Sequence, residues 1–304
     1  MSRALFAKRG RTLLFTLLSV AAAAAVLGLL VYREWDAFVA FDWQINWWAI
    51  LAAFVLLLIG LAVAAAGWTI LMRLMGSSLS PILHLRFYVI TYLARRLPGT
   101  VWYIAGRGYL YRQEGESLRL VTIASSVEYA LQIVGGALVA LALWSYTLRS
   151  LSLWYAGGLA LLAALGLVAT RPQIMRWYLR RAGLQDAPAL ANRHVLALLA
   201  LYAVLWLVTG AMFYAIAFAV TGVSPAHMAY LIGCWSLVGT LSVVVFFLPS
   251  NFGFTEVGLS LLLSAVMPSS LAVLVAVLSR LFTMGFELLA AGLALPLLRW
   301  FERR

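Results

Sequence analysis

Long apolar runs alternate along the chain with short, arginine-rich connections. The runs fall at about 13–32, 49–72, 118–144, 153–170, 194–220, 229–248 and 271–298. Each meets the roughly 17-residue minimum for crossing a bilayer as a helix. Two stretches interrupt the pattern. Residues 81–111 are cut at Pro98-Gly99 into halves too short for a full crossing and suited to a re-entrant pair. The second is Leu248-Pro-Ser-Asn-Phe-Gly-Phe-Thr-Glu256, with a short apolar run at 257–267 before Pro268. Backbone freed from its helix must find partners other than lipid, so both breaks are expected to line a cavity. The connection at 171–193 mixes Ile174, Trp177 and Leu184 with Arg176, Arg180 and Arg181, the pattern of a segment lying on the membrane surface. Trp47-Trp48, and most other tryptophans and tyrosines, fit the interfacial belts. The expected fold class is an all-α polytopic membrane protein: one transmembrane domain over 1–304, with about 6–8 transmembrane helices and two Pro-broken re-entrant elements.

Composition agrees. The 304 residues are 65% hydrophobic and 11% charged, against roughly 25% charged in soluble domains. No polar segment is long enough for a nucleotide-binding domain, so an ATP-driven step would need another subunit. Net charge is +12, with Lys8 the only lysine. Of the 22 Lys and Arg, 19 fall on segments that share one side if both termini are cytoplasmic. That bias accounts for the charge without nucleic acid. The single cysteine, Cys234, excludes an internal disulfide.

Two parts of the chain share an order of features, which suggests a duplicated, possible inverted-repeat architecture with halves at about 80–148 and 228–298. Leu97-Pro98 precedes a short segment, Ala124-Ser-Ser-Val-Glu128 and a run through Gly135-Gly136. Leu248-Pro249 precedes a short segment, Ser279-Arg280 and a run through Gly285 and Gly292. Glu128 and Arg280 would then be equivalent and near the pseudo-symmetry axis.

Charges at mid-bilayer cost roughly 2.5–3.5 kcal/mol each on insertion scales. Glu128, Glu256, Arg280 and Glu287 are committed to apolar helices, and Arg107 sits beside a break. They must pair or face water. A structural ion-pair network is one reading; anion binding is the other, because guanidinium grips phosphate in a bidentate way. Helices restarting after Pro98-Gly99 and after Pro249 to Gly253 would add unpaired N–H groups and favourable dipoles. Arg95 and Arg96 read either as lipid-collecting residues or as snorkelling interfacial ones. His84, His194 and His227 lack metal-ligand spacing, and Gly106-Arg-Gly108 is not a dinucleotide fingerprint. Neither a metal nor a cofactor is expected.

Tyr92-Leu-Ala-Arg-Arg-Leu-Pro-Gly99, then Arg107, then Ala124-Ser-Ser-Val-Glu128, resembles the first signature of the lysylphosphatidylglycerol synthase transmembrane (flippase-domain) family. Leu248-Pro-Ser-Asn-Phe-Gly-Phe-Thr-Glu256 with Ser279-Arg280 is similar to its second. Asn251-Phe252 replaces part of that family's glycine run, and Tyr129 stands where Arg often follows the Glu. The resemblance implies a stand-alone member in the bacterial cytoplasmic membrane that moves an anionic or phosphate-bearing lipid between leaflets. Aminoacylated phospholipids and polyprenyl-phosphate lipids are the implied substrates. Aminoacyl transfer is not expected of a chain ending at Arg304. The expected binding set is Arg95, Arg96, Pro98, Gly99, Arg107, Glu128, Pro249, Asn251, Gly253, Glu256 and Arg280. Arg107 and Arg280 would hold phosphate, while Glu128 and Glu256 would orient them or take a cationic headgroup or a proton. Membrane lipids are the expected partners, with envelope-lipid enzymes next. The alternatives are a membrane transferase using a lipid-phosphate sugar donor, with Asp36 or Asp42 as its acid, and a non-catalytic subunit of an envelope-lipid enzyme.

Overall fold

In the computed structural model, the structure describes residues 25, 28–29, 32–33, 35–42, 44–94, 101–143, 153–184, 187–244 and 253–302. All regular structure among them is helical. A short α1 (Trp35–Ala40) precedes α2 (Trp47–Leu74), α3 (Pro81–Ala94), α4 (Val101–Gln113) and α5 (Leu118–Ala142). Then follow α6 (Leu153–Ala169), α7 (Pro172–Arg181) and α8 (Asn192–Thr221). A 3₁₀ turn (Pro225–His227) leads into α9 (Met228–Val244), then α10 (Phe254–Leu263) and α11 (Ser269–Glu302). Five elements are long and apolar enough to span a membrane: α2, α5, α8, the turn with α9, and α11; α6 with α7 makes a sixth, bent by 59°. The run at 13–32 lies almost wholly outside the described residues.

Local chemistry sets the ends. The Asn46 side chain accepts the Ala49 N–H at 3.1 Å and starts α2 two residues before the apolar run. Gly222, at φ 63°, closes α8 in the left-handed conformation. Pro172 opens α7, which buries Met175 and Leu179 and exposes Arg176, Trp177 and Arg180.

Neighbours in sequence pack in series within two stretches of the chain. Within one stretch α2 packs on α3, α3 on α4 and α4 on α5; within the other α8 packs on α9, α9 on α10 and α10 on α11. Across the stretches α2 lies along α8, α3 meets α11, and α5 meets α9. Small residues permit close approach: a Cβ at Gly60 would meet Thr209 at 3.1 Å, and one at Gly135 would meet the Tyr202 backbone at 3.1 Å.

Candidate functional site

Among the described residues, two Arg–Glu pairs and a cavity beside one of them stand out in the interior. The first pair depends on α4, a helix of 13 residues whose Tyr103, Arg107 and Tyr111 recur every four residues and share one fully buried face. Arg107 Nη1 donates to Glu128 Oε2 of α5 at 2.6 Å, and both side chains are 0% exposed. Tyr103 donates to the same oxygen at 2.9 Å, and Gln132 to Glu128 Oε1 at 3.3 Å. The guanidinium is boxed by ring faces, with Cζ 3.7 Å from the Trp68 centroid, 4.2 Å from Tyr103 and 5.0 Å from Tyr88. Cation–π contacts of this desolvated kind reach about 2 kcal/mol. They accompany Arg107 Nη2, which has no hydrogen-bond partner. Behind the box, the Trp68 indole N–H donates to Tyr111 Oη at 2.7 Å, and the same hydroxyl shares a hydrogen bond with His84 Nδ1 at 2.6 Å.

The second pair is built differently. Gly253, at φ 84°, starts α10, and its N–H donates to Glu256 Oε2 at 2.9 Å. Glycine has no side chain for the reciprocal bond, so this is half of a capping box. Glu256 Oε1 lies 3.5 Å from Arg280 Nε on α11, with no hydrogen bond of its own. Glu256 is 1% exposed and Arg280 16%.

Arg280 opens onto a cavity of about 280 Å³. Its wall takes Gly60 and Ala64 from α2, Gln132 from α5, Trp206 and Thr209 from α8, Trp235 and Ser242 from α9, Thr255 from α10, and Arg280, Thr283 and Glu287 from α11. Most of these residues sit near the middle of their helices, so the cavity lies about halfway through the spans. Trp206 donates its indole N–H to the Gln132 carbonyl at 2.8 Å, and Trp235 donates to Thr209 Oγ1 at 3.2 Å. With those donors engaged, the two indoles offer the cavity mainly their ring surfaces. Trp206 fits only because Gly136 and Gly239 lack side chains; a Cβ at Gly136 would stand 2.7 Å from its ring.

The structure therefore brings together Glu128 with Arg107 and, separately, Gly253 with Glu256 and Arg280. Arg95, Arg96, Pro98, Gly99, Pro249 and Asn251 lie outside the described residues. Glu128 and Arg280, expected to be equivalent in a repeat, belong to separate pairs, each between a short helix and the long helix after it. Arg107 is enclosed by protein, whereas Arg280 reaches the cavity. Sequence reasoning missed Trp68, Trp206 and Trp235 by assigning tryptophan to the interfaces, yet Trp68 is fully buried and the other two wall the cavity. The i, i+4, i+8 spacing of Tyr103, Arg107 and Tyr111 was a usable signal for the buried box. Among the described residues no cluster of His, Cys, Asp and Glu is placed to hold a metal ion.

No curated protein matches the chain. Residues 16–291, nearly the whole length, match the family described as the lysylphosphatidylglycerol synthase TM region. The chain belongs to that family.

Proposed function

We propose that the protein is a lipid translocase, or flippase, for an anionic or phosphate-bearing lipid, acting as a transporter and not as an enzyme. Family membership ties the chain to membrane-lipid chemistry. The observation that carries the reading is the position of Arg280, on a largely apolar cavity halfway along the spans. An ionisable residue so placed is costly unless it serves a purpose, and it marks substrate paths in membrane proteins. At about 280 Å³ the cavity stands near the lower end of small-molecule sites. That is the scale of a headgroup and not of a whole lipid, so the acyl chains would stay in the bilayer. Arg280 would grip the phosphate, with Thr209, Ser242, Thr255 and Thr283 supplying hydroxyls and Trp206 and Trp235 supplying ring faces. The protein would work in a bacterial cytoplasmic membrane with both termini inside, beside the enzymes that make its lipid.

Reconstitution into liposomes containing fluorescent phosphatidylglycerol tests this directly. Dithionite accessibility reports movement between leaflets. Arg280→Gln is expected to slow transport roughly tenfold or more, the value of one charge-assisted contact. Asp36→Asn and Asp42→Asn, the acids that a transferase would need, should leave it unchanged. Transport that persists at full rate in folded Arg280→Gln overturns the proposal.

A further inference from the structure

Glu256 stands where an incoming anion would be expected. A helix N-terminus and a guanidinium together form a common recognition set for phosphate. Here a side chain of the protein occupies both, with Oε2 on the Gly253 N–H and Oε1 facing Arg280. The hold on Arg280 is loose. Its 3.5 Å separation exceeds the roughly 2.7–2.9 Å of an optimised charge-assisted bond, and Oε1 has no hydrogen-bond donor although Glu256 is buried. A side cavity of about 30 Å³, bounded by Thr255, Ser279 and Thr283, adjoins both members of the pair. That is room for a water molecule or a shift of the carboxylate.

We propose that Glu256 is a resident competitor for Arg280: a headgroup phosphate takes the guanidinium from it on binding, and Glu256 takes the guanidinium back on release. This rests on the translocase reading above. It differs in sign from a purely orienting role. Removing an orienting carboxylate weakens binding of the anion, whereas removing a competitor strengthens it. A competitor also serves turnover, because a transport site must bind well enough to load and weakly enough to unload.

The test is calorimetric titration of the full chain in a phosphate-free maltoside detergent, with dioctanoylphosphatidylglycerol and, separately, inorganic phosphate. Glu256→Gln keeps an acceptor for the Gly253 N–H, and a melting curve checks its fold. The expected result is lipid binding about tenfold tighter in Glu256→Gln and lost in Arg280→Gln, with liposome transport by Glu256→Gln slower than wild type. If binding is lost in Arg280→Gln but is weaker or unchanged in Glu256→Gln, the competitor role is overturned and the lipid site stands. If Arg280→Gln binds lipid normally, the lipid site fails and the exchange fails with it. If Glu256→Gln tightens inorganic phosphate alone, the exchange stands and the translocase reading falls.

Discussion

Two interior Arg–Glu pairs among the described residues are built to opposite specifications. In each, a short helix is tied to the long helix after it. The signs are exchanged: α4 carries arginine and α5 glutamate, whereas α10 carries glutamate and α11 arginine. Arg107–Glu128 is short, fully enclosed and further held by Tyr103, Gln132 and three aromatic faces. Glu256–Arg280 is long, partly exposed on the arginine side and open to a cavity. A charge boxed by rings has no ordinary route to a ligand, while a loosely paired one at a cavity wall can exchange partners. The same residue chemistry thus serves as a pin in one place and as a contact point in the other.

The largest expected effect tests the pin. Removing one partner of a buried ion pair leaves an uncompensated charge and costs about 3–5 kcal/mol. Arg107→Ala and Glu128→Ala should each cost that much, read as a large fall in melting temperature in detergent. The double variant Arg107→Met with Glu128→Leu should recover most of it, since apolar replacement of a buried pair is often neutral. Arg280→Gln should cost about 1–2 kcal/mol, because Glu256 keeps its bond to Gly253 and adjoins a space large enough for water. Equal losses at Arg107 and Arg280 would erase the distinction between the pairs.

A middle-sized effect concerns the cavity wall. Gly239→Leu would drive a side chain into the Trp206 ring. Overpacking of this kind costs about 1–3 kcal/mol. It should also displace Trp206 from the Gln132 carbonyl and lower transport of fluorescent phosphatidylglycerol in liposomes. Adding Trp206→Ala should restore the melting temperature but not the transport rate. Recovery of both would mean that the indole wall plays no part in handling the lipid.

Much of the fold could be read from hydropathy, because an apolar run of sufficient length has few alternatives in a membrane. The runs at 118–144 and 194–220 became α5 (Leu118–Ala142) and α8 (Asn192–Thr221), while the breaks expected at Pro98 and Pro249 lie outside the described residues. The start of α2 lay in the sequence too, in an Asn46 cap just before Trp47. The partners of the charges did not. Glu128 lies 21 positions from Arg107 and 152 from Arg280, and an ionic radius favours neither. The choice is made by the turn between α4 and α5 and by the face on which Tyr103, Arg107 and Tyr111 align. Trp206 and Trp235 were unreadable for a different reason. Tryptophan suits both the interface and a helix junction, and only the facing Gly136 and Gly239 mark the Trp206 position as the second kind.

The smallest expected effect asks which contacts make the enclosed pair rigid. Arg107 Nε reaches Thr91 Oγ1 at 3.5 Å, the outer limit of a hydrogen bond. The Thr91 hydroxyl already donates within its own helix, to Phe87 O at 2.7 Å. Thr91→Val keeps the shape and removes this weak acceptor together with a bond to a carbonyl inside its own helix, so the loss should stay within about 0.5–1.5 kcal/mol. Trp68→Leu removes the ring 3.7 Å from the guanidinium and leaves the Thr91 contact in place. Denaturant melts of the two variants then rank the supports. A larger loss for Trp68→Leu assigns the guanidinium to its aromatic box. A loss for Thr91→Val approaching that of Arg107→Ala would mean that Nε, and not the ring faces, orients the arginine toward Glu128.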